Sequence, residues 1–154
     1  MTQVQVVHQQ SDLQVSEELI SPLVNAVLEA EEQQFDEVCI YLVGTEEICR
    51  LHKHYFDDST TTDCISFPMD DNREVGYRVL GDVFVCPRTA IDYAKQHDTE
   101  PYEETTLYIV HGILHLLGYD DIDEDDRKKM RSAESRNMAN LKKLDLCLKQ
   151  PVSA

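Results

Sequence analysis

The sequence predicts an α+β fold, arranged as an α/β-like sandwich around a small sheet. Two observations predict this class. Short apolar runs of strand length are interspersed with segments whose apolar residues recur at helical spacing. The chain contains no internal repeat and no linker, and 154 residues suffice for one sizeable core. We therefore expect residues 1–154 to form a single domain.

Four segments have the composition and length of strands: residues 4–8, 38–43, 64–67 and 79–86. The second is a continuous apolar run that ends at Gly44, and the third ends at Pro68. Polar stretches at residues 57–63 and 69–77 are predicted to form loops on either side of the third strand.

Five segments are typical of helices. The first follows Ser16, which we expect to cap it, and carries apolar residues at helical spacing as far as Leu28. Pro87 begins another helix, because proline suits a first turn. The predicted bounds of the other four helices are 45–55, 87–97, 102–117 and 123–148.

Two absent signals and the cysteines indicate the compartment. No apolar run approaches the roughly 18 residues of a membrane span, and the first residues lack the basic and apolar regions of a signal peptide. The five cysteines are an odd number without a CxxC pair, which favours buried reduced thiols over disulfides or a cysteine metal site. We therefore expect a cytoplasmic protein with no membrane partner.

The formal net charge is −16, which argues against a broad basic surface for nucleic acid. Part of the acid is local, because residues 120–126 hold six carboxylates in seven positions. Such a run is typical of a solvated helix start, where carboxylates face the positive end of the helix dipole. The charge therefore leaves room for a local RNA-binding groove, and it also suits basic protein partners.

The segment from His111 to Asp121 indicates metal chemistry. His111 and His115 lie four residues apart in an apolar helical stretch, which places both imidazoles on one helix face, as in the HExxH helix of zincins. Gly118 allows the helix to end in a left-handed turn, after which Asp121 could supply a third ligand. The pattern predicts a divalent metal bound by His111, His115 and Asp121, with coordination positions left open.

These residues also have plainer interpretations. A histidine within a helix is more often a hydrogen-bonded core group, Asp121 could cap the next helix, and Asp120 is better explained as a cap or as a partner of a ligand. Zinc is the expected metal, with nickel, iron and manganese left open. Gly112 stands where zinc peptidases need their glutamate base, which argues against a peptidase of that mechanism.

The same segment resembles HGxLHLxGYDH, the hallmark of the YbeY family of metal-dependent endoribonucleases, which are bacterial rRNA maturation factors. Residues 62–68, TDCISFP, are similar to a second family block, TDVLSFP, and residues 80–83, LGDV, are similar to a third, LGDI. The three blocks agree in order and spacing, and Met130 and Glu134 also suit the pattern. The resemblance covers nearly the whole chain.

The resemblance implies a small, mostly parallel sheet of four strands flanked by helices, and a metal held by three histidines. Carried over by position, the ligands are His111, His115 and Asp121, and the two histidines are the catalytic candidates. The implied function is single-strand-specific RNA cleavage in maturation of the 3′ end of small-subunit (16S) rRNA and in ribosome quality control. The implied partners are ribosomal RNA, small-subunit proteins and an assembly GTPase.

Two positions depart from the family pattern. Asp121 replaces the third histidine, which puts an anion in place of a neutral ligand and alters metal preference and the acidity of bound water. Phe56 stands where the family commonly has an arginine for RNA handling. Arg73, Arg78 and Arg88 are candidates to replace it.

A substrate groove has further candidate residues. Thr62, Asp63 and Ser66 could line it, although strand-end hydrogen bonding explains Ser66 better. Asp82 is either a partner of a ligand or a turn residue.

Three classes of function stay open. The first is the endoribonuclease. The second is a catalytically weak ribosome-assembly binding factor with a structural or vestigial metal, which the acidic composition and the missing arginine favour. The third is a metal-dependent hydrolase of a small phosphate or amide substrate, which only the resemblance along the whole chain disfavours.

Overall fold

The computed structural model describes residues 1–56, 64–69 and 76–151. The strands are β1 (Gln3–Gln9), β2 (Glu37–Val43), β3 (Cys64–Pro68) and β4 (Val79–Val85). The helices are α1 (Ile20–Ala30), α2 (Thr45–Phe56), α3 (Pro87–His97), α4 (Pro101–Leu116) and α5 (Glu124–Lys143). A short 3₁₀ turn, Glu17–Leu19, precedes α1.

The four strands form one sheet in the order β1-β2-β4-β3. The pairs β1–β2 and β2–β4 are parallel, and β3 runs antiparallel to β4 at one edge. Val4 lies opposite Val38 in the first pair, and Ser66 lies opposite Val83 in the last. The prediction of an α+β fold with a small, mostly parallel four-stranded sheet is therefore confirmed.

The main core lies between one face of the sheet and the helices α1, α4 and α5. Helix α4 is central, because it contacts β3, β4, α1, α3 and α5. Apolar residues around most of its circumference are buried, as expected for a helix with neighbours on several sides. A smaller cluster on the other sheet face joins α2 to the strands through Ile48, Leu51 and Ile65.

Gly112 lets α4 approach the sheet closely. A Cβ atom at this position would overlap the Val83 side chain on β4 and lie 2.8 Å from Sγ of Cys64 on β3. The Ser66 hydroxyl donates a hydrogen bond of 3.1 Å to the carbonyl oxygen of Gly112, which fastens the edge strand to the helix. The position of α4 therefore depends on the missing side chain.

The last helix is shorter than predicted. It ends at Lys143 rather than at 148, because Asp145 takes a left-handed conformation with φ of 56°. The Leu146 N–H donates to the carbonyl oxygen of Leu141 at 2.9 Å, and the Asp145 N–H donates to that of Lys142 at 3.2 Å. These two bonds form a Schellman motif with aspartate in place of the usual glycine. The end of α5 was therefore not marked by a glycine in the sequence.

The start of the first helix also differs from the prediction. The Ser16 side chain makes no capping hydrogen bond. The 3₁₀ turn is closed instead by the Leu19 N–H, which donates to the Ser16 carbonyl oxygen at 3.1 Å. Ser16 therefore occupies the capping position of the turn that leads into α1, but its side chain does not make the capping bond typical of serine.

None of the five cysteines, all of which lie among the described residues, forms a disulfide; Cys86 is buried and the other four are half-buried. No helix among the described residues combines the length and the apolar character needed to cross a membrane.

Replacing Gly112 with serine is expected to lower the free energy of unfolding by about 1–3 kcal/mol, since the new side chain must displace Val83 and Cys64. For a chain of this length the melting temperature should fall by roughly 2–12 °C in a thermal scan. Gly44→Ser is the matched control, because a Cβ at Gly44 meets no atom within 4 Å. The free energy of unfolding of Gly44→Ser should stay within about 0.5 kcal/mol of the wild-type value. Equal melting temperatures for the two variants would contradict the close packing of α4.

Candidate metal centre

The last two turns of α4 carry His111 and His115 on one face. Their ring centroids are 4.5 Å apart and the rings are nearly perpendicular. Both side chains are half-buried, with 20% and 27% of their surface exposed. The i, i+4 spacing and the fixed position of α4 therefore bring the two imidazoles together at the edge of the core.

Gly118 ends the helix as predicted. Its φ is 108°, in the region that favours glycine. The Gly118 N–H donates to the His115 carbonyl oxygen at 3.0 Å, and the Tyr119 N–H donates to that of Leu114 at 3.0 Å. These two bonds form a Schellman motif, which turns the chain back toward the histidines.

The turn brings Asp121 to the two imidazoles. Its Oδ2 atom lies 3.6 Å from Nε2 of His115 and 3.9 Å from Nε2 of His111. Asp121 is not needed as a helix cap, because the Asp123 side chain accepts the hydrogen bond from the Asp126 N–H at 2.8 Å and begins α5. The three residues predicted as ligands therefore share one small volume.

The donor atoms lie close enough together to converge on one ion. One ligand atom from each of His111, His115 and Asp121 can be chosen so that all lie within 4.8 Å of one another. Tetrahedral zinc with bonds of 2.0–2.2 Å places its ligand atoms roughly 3.3–3.6 Å apart, so small side-chain shifts would close the site around an ion. The Asp121 side chain is 49% exposed, which leaves the site open to solvent and substrate.

Glu134 on α5 lies behind His111. Its Oε2 atom is 3.4 Å from Nδ1 of His111, and its side chain is 17% exposed. A carboxylate on this side favours a proton on Nδ1 and directs the Nε2 lone pair toward Asp121. Glu134 therefore orients the ring of His111. In the sequence, only the resemblance to the family pattern pointed to Glu134.

Ser66 has both of its predicted roles, whereas Asp82 lies elsewhere. The Ser66 hydroxyl donates to the Gly112 carbonyl oxygen, as its strand-end interpretation predicts, and Ser66 also lines the groove beside His115. Asp82 alternates with Val83 along β4, so it points away from α4, toward the sheet face that carries Phe84. Burial raises the pKa of the Asp82 carboxyl, and the charge of Glu37 adds to the effect. Thr62 and Asp63 lie outside the described residues.

Two of the candidate arginines lie away from the metal centre. Arg78 donates to the Gln34 carbonyl oxygen at 2.9 Å and stacks over the Phe35 ring at 4.4 Å. Nε of Arg88 lies 3.3 Å from Oδ1 of Asp92 on α3. Arg73 lies outside the described residues.

A groove of about 370 Å³ adjoins the metal centre, which we call the His115 groove. Its described lining comes from α2, from the edge strand β3 and from the end of α4: His52, Phe56, Cys64, Ile65, Ser66, Pro68, His115 and Leu116. Neither Arg78 nor Arg88 belongs to this described lining.

A polar network anchors the turn that carries Asp121. The carboxylate of Glu31, directly after α1, accepts hydrogen bonds from the Tyr119 hydroxyl at 2.6 Å, from Arg136 at 2.9 Å and from the Asn137 amide at 3.0 Å. Its side chain is only 7% exposed. Because Tyr119 lies two residues before Asp121, the network joins α1 and α5 to the turn and helps to position the third ligand.

The hydrogen bonds to Glu31 lower the pKa of its carboxyl and so favour its charged form. Burial alone raises the pKa of the carboxyl, but the bonds from Tyr119, Arg136 and Asn137 outweigh it and hold the pKa below the ordinary value of 4.5. Sequence reasoning missed this group. The one local signal was Asn137, a polar residue at helical spacing from Met130 and Leu141 on the buried face of α5.

Glu31→Gln is expected to lower the free energy of unfolding by about 2 kcal/mol at pH 7, because it removes the charge from three hydrogen bonds. A lowered pKa stabilises the folded protein above pH 4.5, and this contribution is lost as the pH falls through the folded-state value. The difference in free energy of unfolding between wild type and variant should therefore become smaller in acid. Urea unfolding at a series of pH values from 7 to 3 measures it. Glu29→Gln, on the exposed end of α1, is the control. A loss of stability in Glu31→Gln that does not depend on pH would contradict the network.

Known proteins with similar sequences share one family. A sequence model of the family described as endoribonuclease YbeY matches residues 5–142. A protein of Protochlamydia amoebophila named endoribonuclease YbeY is 54% identical over 142 residues, which cover 92% of this chain and 95% of that protein. Proteins of the same name from Finegoldia magna and Chlamydia abortus are 35% and 34% identical, and the matches cover 85% and 91% of this chain and 88% and 91% of those proteins.

A solved structure shares the fold. The solution structure of TM1509 from Thermotoga maritima matches with a TM-score of 0.63, covering 90% of this chain and 89% of that chain at 22% identity. The family match extends from β1 to α5 and includes the metal-centre segment. The chain therefore belongs to the endoribonuclease YbeY family.

Proposed function

We propose that this protein is a metal-dependent, single-strand-specific endoribonuclease, and that it acts in maturation of the 3′ end of 16S rRNA and in ribosome quality control. The observation that carries the proposal is the convergence of His111, His115 and Asp121 beside an open groove. Membership of a family whose relatives are named endoribonucleases supports RNA as the substrate.

His111, His115 and Asp121 would hold the metal. A divalent ion bound there supplies Lewis acidity toward a phosphodiester oxygen and lowers the pKa of a water molecule. The chain's own contribution is to fix two neutral imidazoles on a rigid helix and one carboxylate on a braced turn, while Glu134 orients His111. We propose zinc, with nickel, iron and manganese as alternatives that the same donors accept.

The structure gives a physical reason against peptidase chemistry. In zinc peptidases of the HExxH type, a glutamate follows the first histidine and acts as the base. Here Gly112 occupies that position and faces the sheet, where its Cβ would overlap Val83. A glutamate at 112 would disrupt the packing of α4, and it would not reach a substrate at Asp121.

His115→Ala is expected to reduce bound metal to near zero and to abolish cleavage of a single-stranded rRNA precursor, because one of three ligands is lost. Metal analysis of purified protein and a cleavage assay with 16S precursor RNA check both parts. His97→Ala is the matched control, since His97 is on α3 and its ring stacks on Tyr93 at 3.9 Å, outside the cluster. Full cleavage by a metal-free, nuclease-clean preparation would refute the proposal.

A second candidate is a ribosome-assembly binding factor in which the metal is structural. The net charge of −16 supports it, because an acidic surface suits basic small-subunit proteins. An assembly GTPase is a further proposed partner. We expect His111→Ala to fail to restore growth in a strain that lacks the factor, if cleavage is the function. Full rescue by His111→Ala would instead favour the binding role.

A further inference from the structure

Phe56 presents an aromatic ring to the His115 groove. It is the last residue of α2, and 57% of its surface is exposed. The buried residues of α2, Ile48 and Leu51, attach the helix to the sheet, so Phe56 is not needed in the core. Its ring centroid lies 5.6 Å from that of His52, one turn earlier, and both side chains line the groove.

The neighbouring Tyr55 is equally exposed but has different surroundings. It has the same exposed fraction, 57%, but its ring packs against Phe67 with the centroids 4.7 Å apart. Tyr55 is not part of the described lining of the groove. Of the two exposed aromatic residues at the end of α2, Phe56 is therefore the one that lines the same groove as His115.

The charge of the groove also favours an aromatic mode of recognition. Its described lining contains no carboxylate, in a chain whose net charge is −16. The same lining contains no arginine or lysine that would bind a phosphate directly. Beside a candidate metal ligand, this surface offers the ring of Phe56 next to the imidazole of His52, with thiol, hydroxyl and apolar neighbours.

We infer that Phe56 is a stacking surface for one unpaired nucleobase of the RNA strand, next to the phosphodiester held at the metal centre. This inference rests on the proposed endoribonuclease function. An unpaired base can leave the strand and place its face on the ring, whereas a base within a duplex is already stacked on both sides. The site would tolerate any base, because every base has a π-face, and it would favour single strands.

The test couples one change in the protein to one change in the RNA. Steady-state cleavage is measured with a short single-stranded RNA and with a series in which one abasic nucleotide is moved along the strand. Phe56→Leu removes the ring and keeps apolar bulk, Phe56→Trp restores a ring, and Tyr55→Leu is the matched control with equal exposure.

At one position near the cut, the abasic nucleotide should raise the KM of the wild type about ten-fold. Phe56→Leu should raise the KM for intact RNA by a similar factor and leave kcat nearly unchanged, as expected for lost binding. The two changes together should raise KM no further than either alone. Phe56→Trp should restore the wild-type KM and its increase at the abasic position, and Tyr55→Leu should keep both at the wild-type values.

Three results would overturn the inference. If Phe56→Leu leaves KM unchanged while the wild type cleaves and His115→Ala does not, stacking fails and the proposed function stands. If the effects of Phe56→Leu and of the abasic nucleotide multiply at every position, Phe56 acts on the fold and not on a base. A wild-type protein that neither binds nor cleaves the RNA would overturn both proposals together.

Discussion

Close packing between α4 and the sheet is the interaction on which the metal centre depends. The helix crosses the strands at Gly112, where no side chain intervenes, and the Ser66 hydroxyl holds the edge strand to its backbone. His111 lies directly before this crossing and His115 one turn after it. A helix held by contacts with five other elements therefore carries the two imidazoles, which is how a protein holds donor atoms in place before an ion binds.

The third donor is held by a different means. Asp121 lies on an exposed turn, where a side chain would ordinarily be mobile. The Schellman bonds at Gly118 and Tyr119 fix the direction of the chain, and the buried carboxylate of Glu31 ties Tyr119 to the end of α1 and to the interior of α5. The carboxylate of Glu31, which has little exposure, thus contributes to stability and to the geometry of the site at once.

Much of the fold and the candidate ligands could be predicted from the sequence because the signals were local. The spacing of His111 and His115, the glycine at 118, the apolar runs of the strands and the apolar periodicity of the helices are all patterns within a few residues. The end of α5 was missed because Asp145 takes the left-handed position that glycine usually marks. The Glu31 network and the His115 groove join residues far apart in the chain, so the polar Asn137 on the buried face of α5 was the one local hint of either.

X-ray absorption spectroscopy of the zinc-loaded protein tests the central claim most directly, because it counts imidazole ligands without relying on activity. We expect two imidazole nitrogens at about 2.0–2.1 Å, with oxygen donors completing the shell. Asp121→His should raise the imidazole count to three, and His97→Ala should leave it at two. Fewer than two imidazoles in the wild type, or a spectrum that Asp121→His leaves unchanged, would contradict a metal held where α4 meets its turn.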